Sequence, residues 1–183
     1  SAASDVYKRQ LLYRSRALIE VIDDFLTPSY HKELLNFISS DEMQWHYCPN
    51  ITADTGGGLG LYGFSNHLYD VDRNTPNSPL MSLVMPCLFQ IQDHLDSPRI
   101  LRARLDMTLF HPYCIPHQEH TDLDFPHYSA VYYLNDSDGD TIIGDTKVAP
   151  RANRVVVFDG DIVHNGHSPC EHHNRIIINS NYD

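Results

Sequence analysis

No stretch of the chain approaches the roughly 20 consecutive apolar residues that a membrane-spanning helix needs, and the N-terminus lacks the apolar run of a secretory signal. A soluble, cytoplasmic protein is therefore expected. Basic residues are scarce: 13 Lys and Arg stand against 24 Asp and Glu, giving a net charge of -11. Binding to a phosphate backbone needs the opposite sign, so a nucleic-acid partner is not expected. The four cysteines, Cys48, Cys87, Cys114 and Cys170, include no Cys-x-x-Cys pair, which excludes a thiolate zinc site of the usual spacing. Free thiols are the expectation. Five glycines crowd the segment from Gly56 to Gly63, but no Gly-Lys-Ser/Thr follows, so it is not a phosphate-binding loop. A mobile lid over a site and a plain surface excursion both fit this segment.

With 183 residues, 42% of them hydrophobic, the chain has the size and apolar content of one globular domain. Its first ten residues, SAASDVYKRQ, resemble an in-frame translation of a transposase sequencing adapter, so the domain is taken as residues 11–183. Removing them leaves the charge balance acidic.

Periodicity divides the rest. Ile19 to Phe25 reads as a strand, and Thr27-Pro28 opens a helix to about Ser39. A second helix starts at Ser78-Pro79, with a kink expected at Pro86. From Leu101 the period drops to two: Leu101, Ala103, Leu105, Met107 and Leu109 alternate with Arg102, Arg104, Asp106 and Thr108, the pattern of a half-buried strand. Further strands are expected at 128–134, 141–143, 154–158, 161–164 and 175–182. Helices followed by many short strands predict a mainly β fold with flanking helices. Asp136, Asp138 and Asp140 lack the twelfth-position Glu of a calcium loop, because Lys147 stands there, and read as a hairpin turn.

Histidine is abundant, with twelve in the chain and eight of them from His111 onward. His120-Thr121-Asp122 would put an imidazole and a carboxylate on one face of an extended segment, able to grip one divalent ion. His164, at the end of RVVVFDGDIVH, is the candidate third ligand; His167 is the alternative. Two histidines and one carboxylate leave half of an octahedral ion open, as Fe(II) oxygen activation requires. His111, His117 and His127 read as loop or supporting residues, and His172-His173 as a solvated turn. Arg175 opens the strand RIIINSNY, where a buried guanidinium would need an anionic partner such as a ligand carboxylate. Tyr133 could hold the same carboxylate. Asn179 and Asn181 share strand parity with Arg175 and are candidate substrate contacts.

HTD at 120–122, YYLND at 132–136, DGDT at 138–141, FDGDIVH at 158–164 and Arg175 together resemble the Fe(II)- and 2-oxoglutarate-dependent dioxygenase superfamily, in its prolyl 4-hydroxylase-like branch. The likeness covers nearly all of residues 18–183 and is nearest to uncharacterised phage and marine metagenomic members. It implies a double-stranded β-helix, or jelly-roll, in which His120, Asp122 and His164 hold Fe(II). Arg175 would pair with the distal carboxylate of 2-oxoglutarate, Tyr133 would hydrogen-bond it, and Tyr132 would face the other way. Where several branches place a second polar contact two residues after the arginine, this chain has Ile177. O2 is the further co-substrate, and hydroxylation of a C–H bond the implied reaction. Retention of Asp122 argues against halogenation. The implied substrate is a prolyl residue of a protein or peptide, or else a small metabolite. A zinc hydrolase on a cupin-like barrel and a non-catalytic jelly-roll binding module remain as alternatives.

Overall fold

The computed structural model describes residues 17–51, 61–73, 75–76 and 78–183. The adapter-like segment and Gly56 to Gly60 lie outside the described residues. The elements are β1 (Ile19–Ile22), α1 (Pro28–Ile38), β2 (His46–Cys48), β3 (Gly63–Asp70), β4 (Thr75–Pro76), α2 (Met81–Leu95), β5 (Ile100–Leu109), β6 (Tyr128–Tyr133), β7 (Thr141–Ile143), β8 (Thr146–Val148), β9 (Arg154–Asp159), β10 (His164–Gly166) and β11 (Asn174–Tyr182). A large antiparallel sheet runs β1-β9-β6-β11-β5-β3-β2, with β4 beside β3, and a small sheet runs β10-β7-β8. Two sheets of this kind form the jelly-roll that the resemblance implies, and the mainly β fold that the strand pattern predicts.

Alternation assigns the two faces of the large sheet. Ala103, Leu105, Ala130, Tyr132, Val155, Val157, Ile176 and Ile178 pack in one cluster with Leu34 and Ile38 of α1 and Val84, Leu88 and Ile91 of α2. The helices thus cover the outer face. Val131, Tyr133, Val156, Phe158 and Ile177 point the other way and meet Ile143 and Val148 of the small sheet. Between the sheets, the inward positions of β5 and β11 are polar apart from Ile177. Arg102, Arg104, Asp106 and Thr108 on β5 stand opposite Asn181, Asn179, Ile177 and Arg175 on β11.

Several elements differ from expectation. The segment that includes Gly63 continues into the eight-residue strand β3, held by Ile51 N–H to Leu61 C=O (3.0 Å) and by pairing with β5. The turn at Gly144, φ +54°, folds β8 back on β7. Residues 161–163 are turn, and the strand begins at His164. α2 runs as one element through Pro86.

Cys114 and Cys170 are joined as a disulfide, against the expectation of free thiols, while Cys48 and Cys87 are free. Tertiary pairing brings them together across 56 positions. His111 N–H donates to Pro169 C=O (2.8 Å), Ser168 N–H donates to Ile115 C=O (2.9 Å), and Pro116 bridges His167. The Asp138 carboxylate fixes the same loop by accepting from the backbone of Cys170, Glu171 and His172 and from His172 Nδ1. The hairpin acid and the exposed histidine are therefore partners.

Asn153 ties the first helix to the barrel. Its side chain accepts from Leu26 N–H (2.8 Å) and from Tyr132 Oη (2.9 Å), donates to Leu26 C=O (2.9 Å), and its φ of +63° suits Asn. Asn153→Ala orphans buried groups on two elements and strains the backbone. It should cost about 3 kcal/mol, read as a lower urea midpoint with unchanged m-value.

Candidate metal and ligand site

The HxD segment is not in a regular strand. His120 is held by an isolated bridge in which its N–H and C=O pair with His164 (3.0 and 2.9 Å), and this sets the two imidazoles side by side, ring centroids 4.7 Å apart. His120 Nε2 lies 3.9 Å from Asp122 Oδ1, and His164 Nε2 lies 3.6 Å from Asp122 Oδ2. The three side chains form a group whose ligand atoms all lie within 4.8 Å of one another, a set that could hold a metal ion. Each histidine fixes its remaining nitrogen on a backbone carbonyl, His120 Nδ1 on Gln118 (3.0 Å) and His164 Nδ1 on Ile162 (3.0 Å). With the proton on Nδ1, both Nε2 lone pairs are turned towards the shared point.

Asp122 is oriented by Ser129 and Arg102, which sequence reasoning did not single out, and by Asn181, expected in another role. Ser129 Oγ (3.0 Å) and Asn181 Nδ2 (2.9 Å) donate to Oδ2, and Arg102 Nη2 (2.7 Å) donates to Oδ1. Burial pushes the carboxyl up, but the hydrogen bond and charge of Arg102 and the hydrogen bond from Asn181 outweigh it and hold Asp122 well below the usual carboxylate range. Asn181, a candidate substrate contact, is fully buried and occupied with Asp122, Ser129 and Arg102. Asn179 lines the cavity, its Oδ1 buried without a partner.

A cavity of about 430 Å³ connects the His120, Asp122 and His164 group to Arg175. Arg175 is 4% exposed and has no carboxylate in ion-pair contact among the described residues. Its Nη2 donates to Thr141 Oγ1 (2.7 Å), its guanidinium lies 5.6 Å from the Tyr133 ring centroid, and its Nε has no partner. Burial lowers its pKa. A buried cation of this kind is costly unless an anion joins it.

Tyr133 donates its hydroxyl to Thr141 Oγ1 (2.7 Å). Thr141, another residue that the sequence did not flag, accepts from both Tyr133 and Arg175, so its own O–H is left to donate elsewhere, and it lines the cavity. It offers the polar contact that Ile177 cannot. Tyr132 faces the helices, where its hydroxyl meets His31 Nδ1 (2.7 Å) and Asn153. His167 lies outside the His120, Asp122 and His164 group.

His117 also lines the cavity, buried, with Nε2 3.3 Å from Ser168 Oγ. Burial first, then the positive Arg175 and neighbouring histidines, push its pKa down to about 3. The unfolded chain takes up this proton below about 6.5, whereas the native protein resists until about 3, so native stability falls as pH drops through that window. The full one-proton slope is about 1.4 kcal/mol per pH unit. His117→Asn should flatten the pH dependence of the urea midpoint between these limits and leave it unchanged above pH 7.

Among the described residues no helix is long and apolar enough to cross a membrane. No protein-family model matches the sequence, and no curated protein matches it. Solved structures do match. An oxidoreductase of the 2OG-Fe(II) oxygenase family from Burkholderia pseudomallei is 13% identical, with a TM-score of 0.65 over 94% of this chain and 87% of that one. A prolyl-4-hydroxylase from Pseudomonas putida is 16% identical, with a TM-score of 0.55 over 90% and 91%. HygX from Streptomyces hygroscopicus, crystallised with nickel and 2-oxoglutarate, is 14% identical, with a TM-score of 0.59 over 95% and 85%. The chain therefore has the jelly-roll fold found in 2-oxoglutarate- and Fe(II)-dependent oxygenases.

Proposed function

We propose that the protein is a 2-oxoglutarate- and Fe(II)-dependent oxygenase that hydroxylates an unactivated C–H bond. One observation carries the reading. A His, Asp, His group with its imidazole tautomers set for a metal opens on a cavity whose far end is a buried arginine with no acid partner among the described residues. The residues fit both groups. His120, Asp122 and His164 would hold the iron, and two neutral nitrogens with one anionic oxygen suit it. Arg175 would take the distal carboxylate of 2-oxoglutarate, with Thr141 as the second donor and Tyr133 fixing Thr141 from behind. Iron, when bound, supplies the oxidative decarboxylation of 2-oxoglutarate by O2, with one oxygen atom passing to the substrate and the other to succinate.

The chain's own contribution is geometric and electrostatic. Ser129, Asn181 and Arg102 keep Asp122 ionised and aimed, so it meets the metal without a proton to lose. Val131 and Ile177 give the cavity an apolar patch of lining, which favours the carbon chain of the co-substrate over water there. The favoured substrate is a prolyl residue of a protein or peptide, or else a small metabolite, met in the cytoplasm. A hydrolase using the same three ligands would have no use for an unpaired buried arginine, and a binding module would have no use for either.

Anaerobic addition of Fe(II) and 2-oxoglutarate tests the reading. A metal-to-ligand charge-transfer band is expected, followed by succinate release when oxygen is admitted. Absence of the band from intact, metal-loaded protein would sink the proposal, and zinc-dependent ester or amide hydrolysis in its place would establish the hydrolase.

A further inference from the structure

The inward face of β5 presents Arg102 and Arg104 to the cavity beside the metal group. Arg104 donates from Nε to Asp106 Oδ2 (2.8 Å), and its two terminal nitrogens have no partner among the described residues. Arg102 uses Nε on Asn181 (3.0 Å) and Nη2 on Asp122, so its Nη1 is likewise unpartnered. Both guanidiniums are part-exposed, with side chains 28% and 31% accessible.

The charge does not balance. Three arginines line the cavity, Arg102, Arg104 and Arg175, against two carboxylates, Asp106 and Asp122. Iron(II) would add two positive charges and 2-oxoglutarate two negative ones, so one positive charge stays uncompensated. Arg175 would be matched by the distal carboxylate and Arg104 is matched by Asp106, which leaves the surplus at Arg102, against the metal ligand. In a chain of net charge -11 this cationic recess is a local exception, and an anion entering it meets three free donors. The unpartnered Oδ1 of Asn179, opposite Arg104 on the neighbouring strand, adds a buried acceptor.

Resting on the oxygenase reading, we infer that the primary substrate is a small molecule or chain end carrying an oxyanion, held by Arg102 and Arg104, together with an N–H or O–H that donates to Asn179. An internal prolyl residue of a protein has no such anion; a free amino acid, a C-terminal residue or a phosphorylated metabolite does. The oxyanion would sit on the β5 side of the metal, leaving the Arg175 end to the co-substrate.

The test is binding, in protein loaded with Ni(II) and N-oxalylglycine so that nothing turns over. Calorimetry compares matched probes, each pair sharing an N–H or O–H donor: L-pyroglutamate with its amide for a carboxylate, glycerol 3-phosphate with glycerol for a phosphate. The anionic member of at least one pair should bind at least about tenfold more tightly, the worth of one hydrogen bond to a charged group, and its advantage should shrink with salt. The double variant Arg104→Gln/Asp106→Asn removes one of the two guanidiniums without stranding an acid and should shrink that preference without abolishing it, because Arg102 keeps its free Nη1 and the surplus charge, while keeping the Fe(II) and 2-oxoglutarate charge-transfer band. Equal binding of anionic and neutral probes to the wild type, or binding of neither, overturns the inference even if the variant does not fold. Equal loss of 2-oxoglutarate affinity in the variant also overturns it, because the arginines would then serve the co-substrate. Absence of the band from the wild type instead removes the oxygenase reading itself.

Discussion

His164→Ala is expected to abolish metal binding, while His167→Ala three residues along leaves it intact. His164 Nε2 lies 3.6 Å from Asp122 and its ring lies against His120, whereas His167 spends its backbone on Asp140 and its side chain lies outside the group. Loss of partners that merely orient ligands already costs ten- to a hundredfold in metal affinity, so loss of a ligand should exceed about a hundredfold. Equilibrium dialysis with Fe(II) or the inert Ni(II), read by elemental analysis, measures this without turnover. The fold should survive, because the one hydrogen bond of the imidazole goes to the Ile162 carbonyl, and the bridge to His120 uses backbone atoms that Ala retains. Asp122→Ala should be worse on both counts, since it strands Arg102, Asn181 and Ser129 in a buried corner. Undiminished metal binding by His164→Ala would refute the assignment of the centre.

Most of this was legible because strand parity is a strong constraint. RIIINSNY and SAVYYLN put Arg175, Ile177, Asn179 and Asn181 on one face and Tyr133 with them, Tyr132 on the other, and the pairing of β11 with β6 and β5 does the same. Parity states which residues share a face and not what that face meets. Arg102, Arg104, Asp106 and Thr108 looked like the solvent side of a half-buried strand, yet they line the cavity, and the polar face of β5 is the site's own wall. Thr141 and Ser129 were passed over for the same reason: a single hydroxyl in a strand has no local signal until its neighbours are known. β3 was hidden by the glycines that precede it, and the Cys114 to Cys170 link by its dependence on two loops that meet only in the folded protein. Asn181 has the right parity for a substrate contact, but the register sets it against Ser129 and Arg102, beside Asp122, and its hydrogen bonds are spent there.

Arg175→Met should move stability and function in opposite directions. The arginine is buried at the end of the cavity with an unpartnered Nε and no carboxylate in contact among the described residues, and the native protein holds it there against the preference of a cation for water. Met matches the aliphatic stem, fills the irregular space beside Tyr133 and needs no anion. What is lost is one hydrogen bond to Thr141, whose oxygen still accepts from Tyr133, and the contact with the Tyr133 ring. These are worth about 1 kcal/mol each, whereas relieving a buried unpaired charge returns several. The variant should therefore melt at or above the wild-type temperature in the absence of ligand. Its affinity for 2-oxoglutarate should nevertheless fall by about a hundredfold or more, the equivalent of two charge-assisted hydrogen bonds at 1.5 kcal/mol each. Affinity for Ni(II) alone should be unchanged, because Arg175 touches none of His120, Asp122 or His164. Thermal melts with and without 2-oxoglutarate separate the two effects: the ligand should raise the wild-type transition and leave that of Arg175→Met where it is. A variant that melts lower yet still responds to 2-oxoglutarate would mean that Arg175 is a structural cation satisfied within the fold, and that the co-substrate carboxylate is held elsewhere.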